Sequence, residues 1–299
     1  MKNFIALIFM LTITVTPNGY CQESGNNQKD DYTLTFANIS VTVSRNGGRI
    51  ISFKCAGKEM LTNSDVHAEY FGGTLWISPQ SGNWPEPVEI DSDPYEVNAD
   101  GDKLVMTSKP DKKNGLVARK EYYLSQIDTS LVLRYTLENT SSTPVSFAPW
   151  DVVRTPPGIS FFPAGETADI NRLVVDSSYI ENDVVWCPSI TVTPRRGQKI
   201  SYLAKEGWLA HYVNNLLFIK RFPDITPEEV PRGQGEVEIY LAPGSIYTEL
   251  ENHGRYTSLA KGDTIVYNQK WIMRDIGKVE QKELYNIAQK IVKNISFTE

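Results

Sequence analysis

The chain has 299 residues, of which 40% are hydrophobic and 11% aromatic, and its formal net charge at pH 7 is −6. This length and hydrophobic fraction are sufficient for one domain with a large core. The acidic balance, without a basic cluster or a basic amphipathic stretch, argues against nucleic acid and an anionic membrane as partners and favours a neutral partner.

The N-terminus has the pattern of an export signal. Lys2 supplies a positive charge, and the apolar run from Phe4 to Val15 is too short for a transmembrane helix. We therefore predict that residues 1–21 are a signal peptide and that the mature protein is secreted or periplasmic, without a membrane span. A lipid anchor at Cys21 is the alternative, which the bulky Tyr20 before that cysteine disfavours.

Cleavage after residue 21 leaves two cysteines, Cys55 and Cys187, which can form one disulfide in an oxidising compartment but make no disulfide framework. Whether they are bonded stays open, so stability has to come from a hydrophobic core. Residues 22–31 are polar and without periodicity, and we predict a disordered leader there.

Beyond this leader, short runs rich in Val, Ile, Tyr, Phe and Thr recur between turn residues, and their hydrophobic period is two. Turn sequences at Asn46–Gly48, Asp100–Asp102 and Asn214–Asn215 separate neighbouring runs, which favours antiparallel pairing. Together these features predict an all-β antiparallel sandwich over residues 32–275. The predicted strands are Tyr32–Phe36, Ile39–Val43, Arg49–Cys55, Lys103–Thr107, Leu116–Leu124, Leu131–Glu138, Val145–Ala148, Ile200–Ala204, Trp208–Val213, Leu216–Arg221, Glu236–Leu241, Ile246–Glu251 and Thr264–Met273.

The last residues change to a helical pattern. From Val279 onward, apolar residues recur at spacings of three and four, which is typical of an amphipathic helix. We predict that residues 276–299 form a C-terminal helix docked on the sandwich. A helix that binds a partner is the alternative.

Two segments between the strands, Glu69–Asp93 and Pro149–Glu166, are predicted to be long loops because both are rich in glycine and proline. Such loops often carry function, and their aromatic residues need either burial or a ligand. The tryptophans in them can close the ends of the sandwich or form a binding platform, and the sequence leaves both open. The candidate binding residues in these segments are Trp76, Gln80, Trp84, Trp150, Asp151 and Arg154.

A pair of carboxylates lies in the predicted strand Ile246–Glu251. Because side chains alternate along a strand, Glu249 and Glu251 share one face, with their Cβ atoms roughly 6 to 7 Å apart. Each can raise the pKa of the other, and His253 follows them directly. The alternative is a solvated edge strand with surface glutamates.

Several short motifs between about Tyr32 and Met273 resemble those of the galactose mutarotase-like proteins, which include the aldose 1-epimerases. A glycine-led strand and the turn after it resemble the opening of these proteins. A later strand and turn resemble the element with the catalytic glutamate of the epimerases, and two other segments look like an uncharacterised branch of secreted bacterial members. The motifs are, in that order, Gly47–Phe53 with Gly57–Leu61, Leu250–His253 with Leu259–Asp263, and Gly72–Gln80 with Trp84–Pro85 together with Ala148–Gly158.

The resemblance implies an antiparallel supersandwich whose concave sheet binds a sugar. In the epimerases a glutamate takes the proton from the anomeric hydroxyl and a histidine protonates the ring oxygen, and Glu251 matches the glutamate. Trp150 stands where that histidine is expected, and an indole cannot act as an acid at neutral pH. His211 and His253 are the candidate replacements. The alternatives are that His211 is a hydrogen-bonded strand histidine and that His253 caps backbone groups in a turn.

Asp151 and Arg154 can hold sugar hydroxyls or pair with each other. The sequence has no phosphate-binding loop, nucleophile elbow or metal-ligand spacing, so we predict no cofactor and no metal site.

Our preferred interpretation is a protein that binds a mono- or oligosaccharide in a cleft, without catalysis. One alternative is a sugar epimerase that uses Glu251 as general base, with His211 or His253 as acid. Another is an interaction module whose aromatic residues only fill the core, which requires that the tryptophans of both predicted loops are buried. The predicted cleft residues are Trp76, Gln80, Trp84, Trp150, Asp151, Arg154, His211, Glu249 and Glu251.

Overall fold

The computed structural model describes residues 20–23, 31–165, 177–189 and 193–297, and most of its regular structure is β-strand. The helices are α1 (Val88–Asp91) and α2 (Gln281–Lys293), with short 3-10 turns at Pro227–Glu229 and Pro243–Ser245. The strands, numbered along the chain, are β1 (Tyr20–Glu23), β2 (Asp31–Phe36), β3 (Ile39–Ser44), β4 (Ile50–Cys55), β5 (Lys58–Glu59), β6 (Gly73–Ser78), β7 (Glu96–Asp100), β8 (Lys103–Thr107), β9 (Leu116–Leu124), β10 (Leu131–Asn139), β11 (Val145–Thr155), β12 (Ile159–Pro163), β13 (Tyr179–Glu181), β14 (Val184–Pro188), β15 (Gln198–Tyr202), β16 (Trp208–Val213), β17 (Leu216–Arg221), β18 (Val237–Leu241), β19 (Thr248–His253), β20 (Thr257–Leu259) and β21 (Thr264–Asp275).

The strands form two antiparallel sheets. The first sheet has the order β1-β2-β3-β4-β6-β11-β19-β18-β15, with β5 paired to β4 and β20 paired to β11. The second sheet has the order β13-β14-β12-β16-β17-β21-β10-β9-β8-β7. The predicted all-β antiparallel architecture is therefore confirmed.

The period-two pattern explains how the two sheets share one core. In β10, Leu133 and Leu137 are buried while Arg134 between them is exposed. The core cluster that contains these leucines also contains Val153 and Leu250 of the first sheet. Each sheet thus turns one face inward, and the other face of the first sheet is left to form a surface.

The predicted C-terminal helix is confirmed as α2, which spans Gln281–Lys293 and is shorter than the predicted range 276–299. Its buried residues Leu284, Ala288 and Val292 belong to one cluster with Trp208 and Ile219 of the second sheet. The strand neighbours of Trp208 and Ile219 belong to the core between the sheets, so these two side chains point to the opposite, outer face. The helix α2 therefore covers the outer face of the second sheet. Among the residues that the structure describes, no helix is long and apolar enough to cross a membrane.

The two segments predicted to be loops contain strands, so those predictions were wrong. All six residues of β6 are buried, so its sequence shows no alternation to reveal a strand. In β11, Pro149 lies at the point where the partner changes from β20 to β19. A strand tolerates proline there because no ladder hydrogen bond from its nitrogen is required.

The strand predicted at Ile246–Glu251 is displaced toward the C-terminus. Pro243–Ser245 form a 3-10 turn and Ile246 has helical backbone angles, so the ladder begins only at Thr248. His253 is consequently the last residue of β19 rather than part of a turn, and it shares a face with Glu249 and Glu251.

The N-terminal predictions are only partly within the described structure. β1 pairs with β2, so Gln22 and Glu23, expected in a disordered leader, form part of a strand. Residues 1–19 and 24–30, with most of the predicted signal peptide and leader, lie outside the described residues. Cys55 and Cys187 are both buried with free thiols.

Candidate functional site

A cleft of about 340 Å³ lies on the outer face of the first sheet. We call this face the cleft face. Strands β6, β11, β19, β18 and β15 run side by side beneath it. Five of the residues predicted for the site line the cleft, and five that were not predicted line it with them. The lining residues are Trp76, Gln80, Trp84, Trp150 and Glu249, together with Tyr70, Gly197, Lys199, Tyr240 and Tyr247.

Three aromatic side chains on the cleft face lie in neighbouring strands. The ladder pairs Trp150 with Trp76 on one side and with His253 on the other. The Trp76 and Trp150 ring centroids are 5.2 Å apart with their planes at 69°, and Trp150 stacks on His253 at 5.2 Å and 20°. Trp76 and Trp150 are 4% and 1% exposed, whereas Trp84, on the segment after β6, is 45% exposed.

A buried group of charges lies beside Trp150. The Lys199 ammonium is 2.7 Å from Glu238 Oε2 and 2.9 Å from Glu251 Oε2, and Trp150 Nε1 donates a hydrogen bond of 2.9 Å to the same Glu251 oxygen. Glu238 Oε1 accepts two more hydrogen bonds, from the Ser201 hydroxyl and the Gly235 amide. Lys199 therefore pairs with both carboxyl groups, and Glu238 accepts more hydrogen bonds from the protein than Glu251 does.

The pKa values of the two carboxyl groups separate accordingly. Burial opposes ionisation of Glu238, but Lys199 and the hydrogen-bond donors prevail and lower its pKa to about 2. Burial raises the pKa of Glu251 to about 8, with Glu238 and Glu249 adding to the effect and Lys199 opposing it. Glu251 is fully buried, and its Oε1 has no hydrogen-bond partner among the described residues. Glu251 thus supports the cleft from below, and Lys199 lies between it and the cleft.

Glu249 is the carboxylate that lines the cleft directly. Its Oε1 accepts a hydrogen bond of 2.8 Å from Arg154 Nε, and its side chain is 12% exposed. Arg154 is fully buried, with its guanidinium carbon 4.5 Å from the centre of a Trp76 ring. Arg154 therefore holds the side chains of Glu249 and Trp76 in place, but it does not itself line the cleft.

Asp151 lies away from the cleft. It is flanked in β11 by Trp150 and Val152, so strand alternation turns it to the inner face. There it forms an ion pair of 2.6 Å with Lys220, and both side chains are fully buried. Asp151 and Arg154 thus pair with Lys220 and Glu249, and not with each other.

The two candidate acid histidines are both buried, and neither lines the cleft. His211 lies in β16 of the second sheet, where its Nε2 donates to the Pro156 carbonyl and its Nδ1 accepts from the Ser160 hydroxyl. His253 Nε2 accepts from the Gln234 side-chain amide at 3.1 Å. Burial lowers the pKa of each histidine to about 4, so both are neutral at neutral pH.

The sequence contains a signal for one of the missed residues, Tyr247. Tyr247 precedes Glu249 by two residues and reaches the same cleft, although it lies just before β19. Lys199 lies on β15, whose register with β18 places it opposite Tyr240 and within reach of Glu238 two positions along the same face, and only knowledge of that pairing reveals its role. Gly197 leaves room for Tyr240, because a Cβ atom there would be 2.0 Å from the tyrosine hydroxyl oxygen. No group of three or more metal-ligating side chains occurs in the described part of the chain.

Comparisons with known proteins identify the family and the fold. Residues 54–274 match the family described as a domain of unknown function (DUF4380). No curated protein matches the sequence. A putative aldose 1-epimerase from Escherichia coli is similar in structure, with a TM-score of 0.56 at 12% sequence identity over 82% of this chain and 98% of that chain.

Two further solved structures are similar. A galactose mutarotase-like protein from Lactobacillus casei has a TM-score of 0.60 at 10% identity over 81% of this chain and 99% of its own. A TPR-domain containing protein from Parabacteroides distasonis has a TM-score of 0.61 at 14% identity over 90% of this chain and 49% of its own. At these identities the likeness shows the fold alone. The chain therefore belongs to the family described as a domain of unknown function (DUF4380), and it has the galactose mutarotase-like supersandwich fold.

Proposed function

We propose that the protein binds a saccharide in the cleft of the first sheet. The observation that carries this proposal is the 45% exposure of Trp84, a large aromatic ring at the edge of a cleft that other aromatic side chains line. Aromatic rings offer flat apolar faces that suit the C–H face of a sugar, while their polar edges hydrogen-bond. Glu249 and Lys199 add polar groups that can hold hydroxyls.

The interaction-module alternative loses support from the same observation. It requires that the tryptophans of the two predicted loops only fill the interior. Trp76 and Trp150 are buried, but both still line the cleft, and Trp84 is exposed beside them. An aromatic ring exposed at the edge of a cleft is more consistent with ligand binding than with a filled core.

Replacing Trp84 by alanine is expected to weaken saccharide binding about fivefold or more, since a lost aromatic contact costs roughly 1 kcal/mol. A proton NMR screen of hexoses, hexosamines and uronic acids first identifies a sugar whose lines broaden when the protein is added. Isothermal titration calorimetry with that sugar then measures its dissociation constant for both proteins. Tyr256→Ala is the matched control, because Tyr256 is 40% exposed but does not line the cleft. Equal affinity of Trp84→Ala and the unmodified protein would remove Trp84 from the site.

A mutarotase reaction is the second candidate function. It is favoured by the position of Glu251, which contacts Lys199, a residue that lines the cleft. We expect no acceleration of anomer equilibration, because Glu251 is fully buried and the two candidate acids, His211 and His253, are neutral and do not line the cleft. Proton NMR of freshly dissolved α-anomers, with and without protein, measures the rate.

Glu251→Gln is the decisive variant for this alternative. Its amide NH₂ can occupy the position of Oε1, which accepts no hydrogen bond from the described residues, while its carbonyl keeps the bonds from Trp150 and Lys199. Accelerated equilibration by the unmodified protein that disappears in Glu251→Gln, with affinity retained within tenfold, would contradict our expectation and assign Glu251 as general base.

A further inference from the structure

A second pocket of about 500 Å³ adjoins the cleft. We call it the side pocket. Tyr70, Trp76 and Trp84 line both the cleft and the side pocket, so the two cavities share a wall of aromatic rings. The other side-pocket residues come from β3, β4 and the turn between them, from the segment before β6, and from α1 with the residues around it, and they include Arg49 and Asp91. Of the site residues predicted from the sequence, Trp76 and Trp84 alone line the side pocket.

Trp84 has the position of a divider that can contact two ligand units. Its ring centroid is 5.7 Å from that of Trp76 and 6.2 Å from that of Tyr70, yet nearly half of its surface is exposed. The neighbouring rings hold one part of the indole and leave the remainder open toward the cavities. A ligand that fills the cleft can therefore extend along these rings into the side pocket without leaving the protein surface.

The charges of the two cavities favour a neutral ligand. Arg49 Nη2 donates to both carboxylate oxygens of Asp91 at 3.0 and 3.1 Å, and its Nη1 donates to two backbone carbonyls. In the cleft, Lys199 is paired with two glutamates. Both lining cations are thus compensated, which disfavours phosphate, sulfate or uronate groups.

Besides Asp91, two carboxyl groups line the side pocket, the exposed Glu69 and the buried Glu86, and Glu86 adds a polar neutral group. Glu86 is 8% exposed, and its Oε1 has no hydrogen-bond partner among the described residues. Burial raises its pKa to about 9, so it carries a proton at neutral pH. A neutral polar group beside aromatic rings suits a ring with hydroxyl groups.

We infer that the cleft and the side pocket together bind adjacent units of one neutral oligosaccharide, with Trp84 in contact with both units. This inference rests on the proposed function and specifies its ligand, because a single monosaccharide would occupy only one of the two cavities. The ligand class is therefore a chain of at least two neutral sugar units.

The test is a calorimetric titration of the full chain with glucose, mannose, galactose and xylose and with the cello-, malto-, manno-, galacto- and xylo-oligosaccharide series up to four units. We expect one series in which the dissociation constant falls at least tenfold from one unit to two or three. Monosaccharide binding without such a gain in any series would overturn the inference and leave the proposed function intact. Absence of binding by every sugar would contradict both.

Ala68→Trp separates the two cavities. Ala68 is exposed and lines the side pocket but not the cleft, so an indole there obstructs only the side pocket. We expect this variant to bind the oligosaccharide only as tightly as the monosaccharide, with unchanged monosaccharide affinity, which also shows that it is folded. Val66→Trp is the matched control, since Val66 is exposed on the same segment and lines neither cavity. Undiminished oligosaccharide affinity of Ala68→Trp would place the second unit elsewhere.

Discussion

Replacing Lys199 by methionine is expected to lower the free energy of unfolding by about 3 kcal/mol at pH 8, because it leaves two buried carboxyl groups without their shared cation. Glu238 and Glu251 lie directly opposite each other in β18 and β19, and both contact Lys199. The lower end of the usual range for a broken buried ion pair applies, because the Lys199 side chain is 21% exposed. Urea unfolding of the two proteins measures the difference.

The loss should depend on pH. In the unmodified protein the pKa of Glu238 is lowered to about 2, so folding favours its ionised form. Without Lys199, burial raises the pKa of Glu238 above its unfolded value, as it already does for Glu251, and the folded state then binds more protons than the unfolded state. Stability of the variant therefore falls as the pH rises above the unfolded value of about 4.3.

We consequently expect a smaller difference between Lys199→Met and the unmodified protein at pH 4.5 than at pH 8. The control is the double variant Lys199→Met/Glu251→Gln, in which one buried carboxyl group is removed. It should recover part of the stability at pH 8 and little at pH 4.5. An equal loss at both pH values, with no recovery, would show that the carboxyl groups do not respond to Lys199.

Lys220→Met is expected to have the larger effect on stability, a loss of roughly 3–5 kcal/mol, since it leaves a fully buried carboxylate unpaired. Lys220 contacts Asp151 Oδ1 at 2.6 Å and also donates to the Leu250 carbonyl at 2.9 Å, so it joins β17 of the second sheet to β11 and β19 of the first. Both members of the ion pair are fully buried between the sheets. Chemical denaturation at pH 7 measures the effect.

The partner variant Lys220→Met/Asp151→Asn tests whether the loss comes from the unpaired charge. Replacing the carboxylate by an amide should restore most of the stability, because a neutral side chain costs less to bury. The double variant should also retain its saccharide affinity, since Asp151 faces the interior and not the cleft. No recovery, or a loss of affinity in the folded double variant, would contradict this placement of Asp151.

The strands were predictable where apolar residues alternate, as in β8 and β9, or where a turn separates two apolar runs, as Asn214–Asn215 does for the mostly buried β16 and β17. The bounds predicted for Lys103–Thr107, Leu116–Leu124, Trp208–Val213 and Leu216–Arg221 are those of β8, β9, β16 and β17. Gly73–Ser78 was missed because it is buried on both faces, and a fully buried strand has no polar alternation to detect. The continuation of β11 beyond Pro149 was missed for a different reason. A proline fits within this strand because the partner strand changes there, and the sequence does not show that change.

The candidate site was predictable only along single strands. Alternation correctly placed Glu249 and Glu251 on one face, and the same rule separates Asp151 from Arg154, which differ by three positions. Sequence spacing cannot show which strands become neighbours. The contacts of Glu251 with Lys199 and of Arg154 with Glu249 arise from pairings between distant segments, as does the distance of His211 from the cleft face.

The most direct test of saccharide binding in the cleft is a ¹⁵N spectrum of the six indole N–H groups during addition of sugars. The signal absent from the spectrum of Trp84→Ala identifies Trp84. Hexoses and the short neutral oligosaccharides are the ligands to add. We expect a binding sugar to shift the Trp84 signal most and to leave unchanged those of Trp208 and Trp271, which are fully buried in hydrophobic clusters. Binding that shifts other indole signals while that of Trp84 stays unchanged would contradict the account.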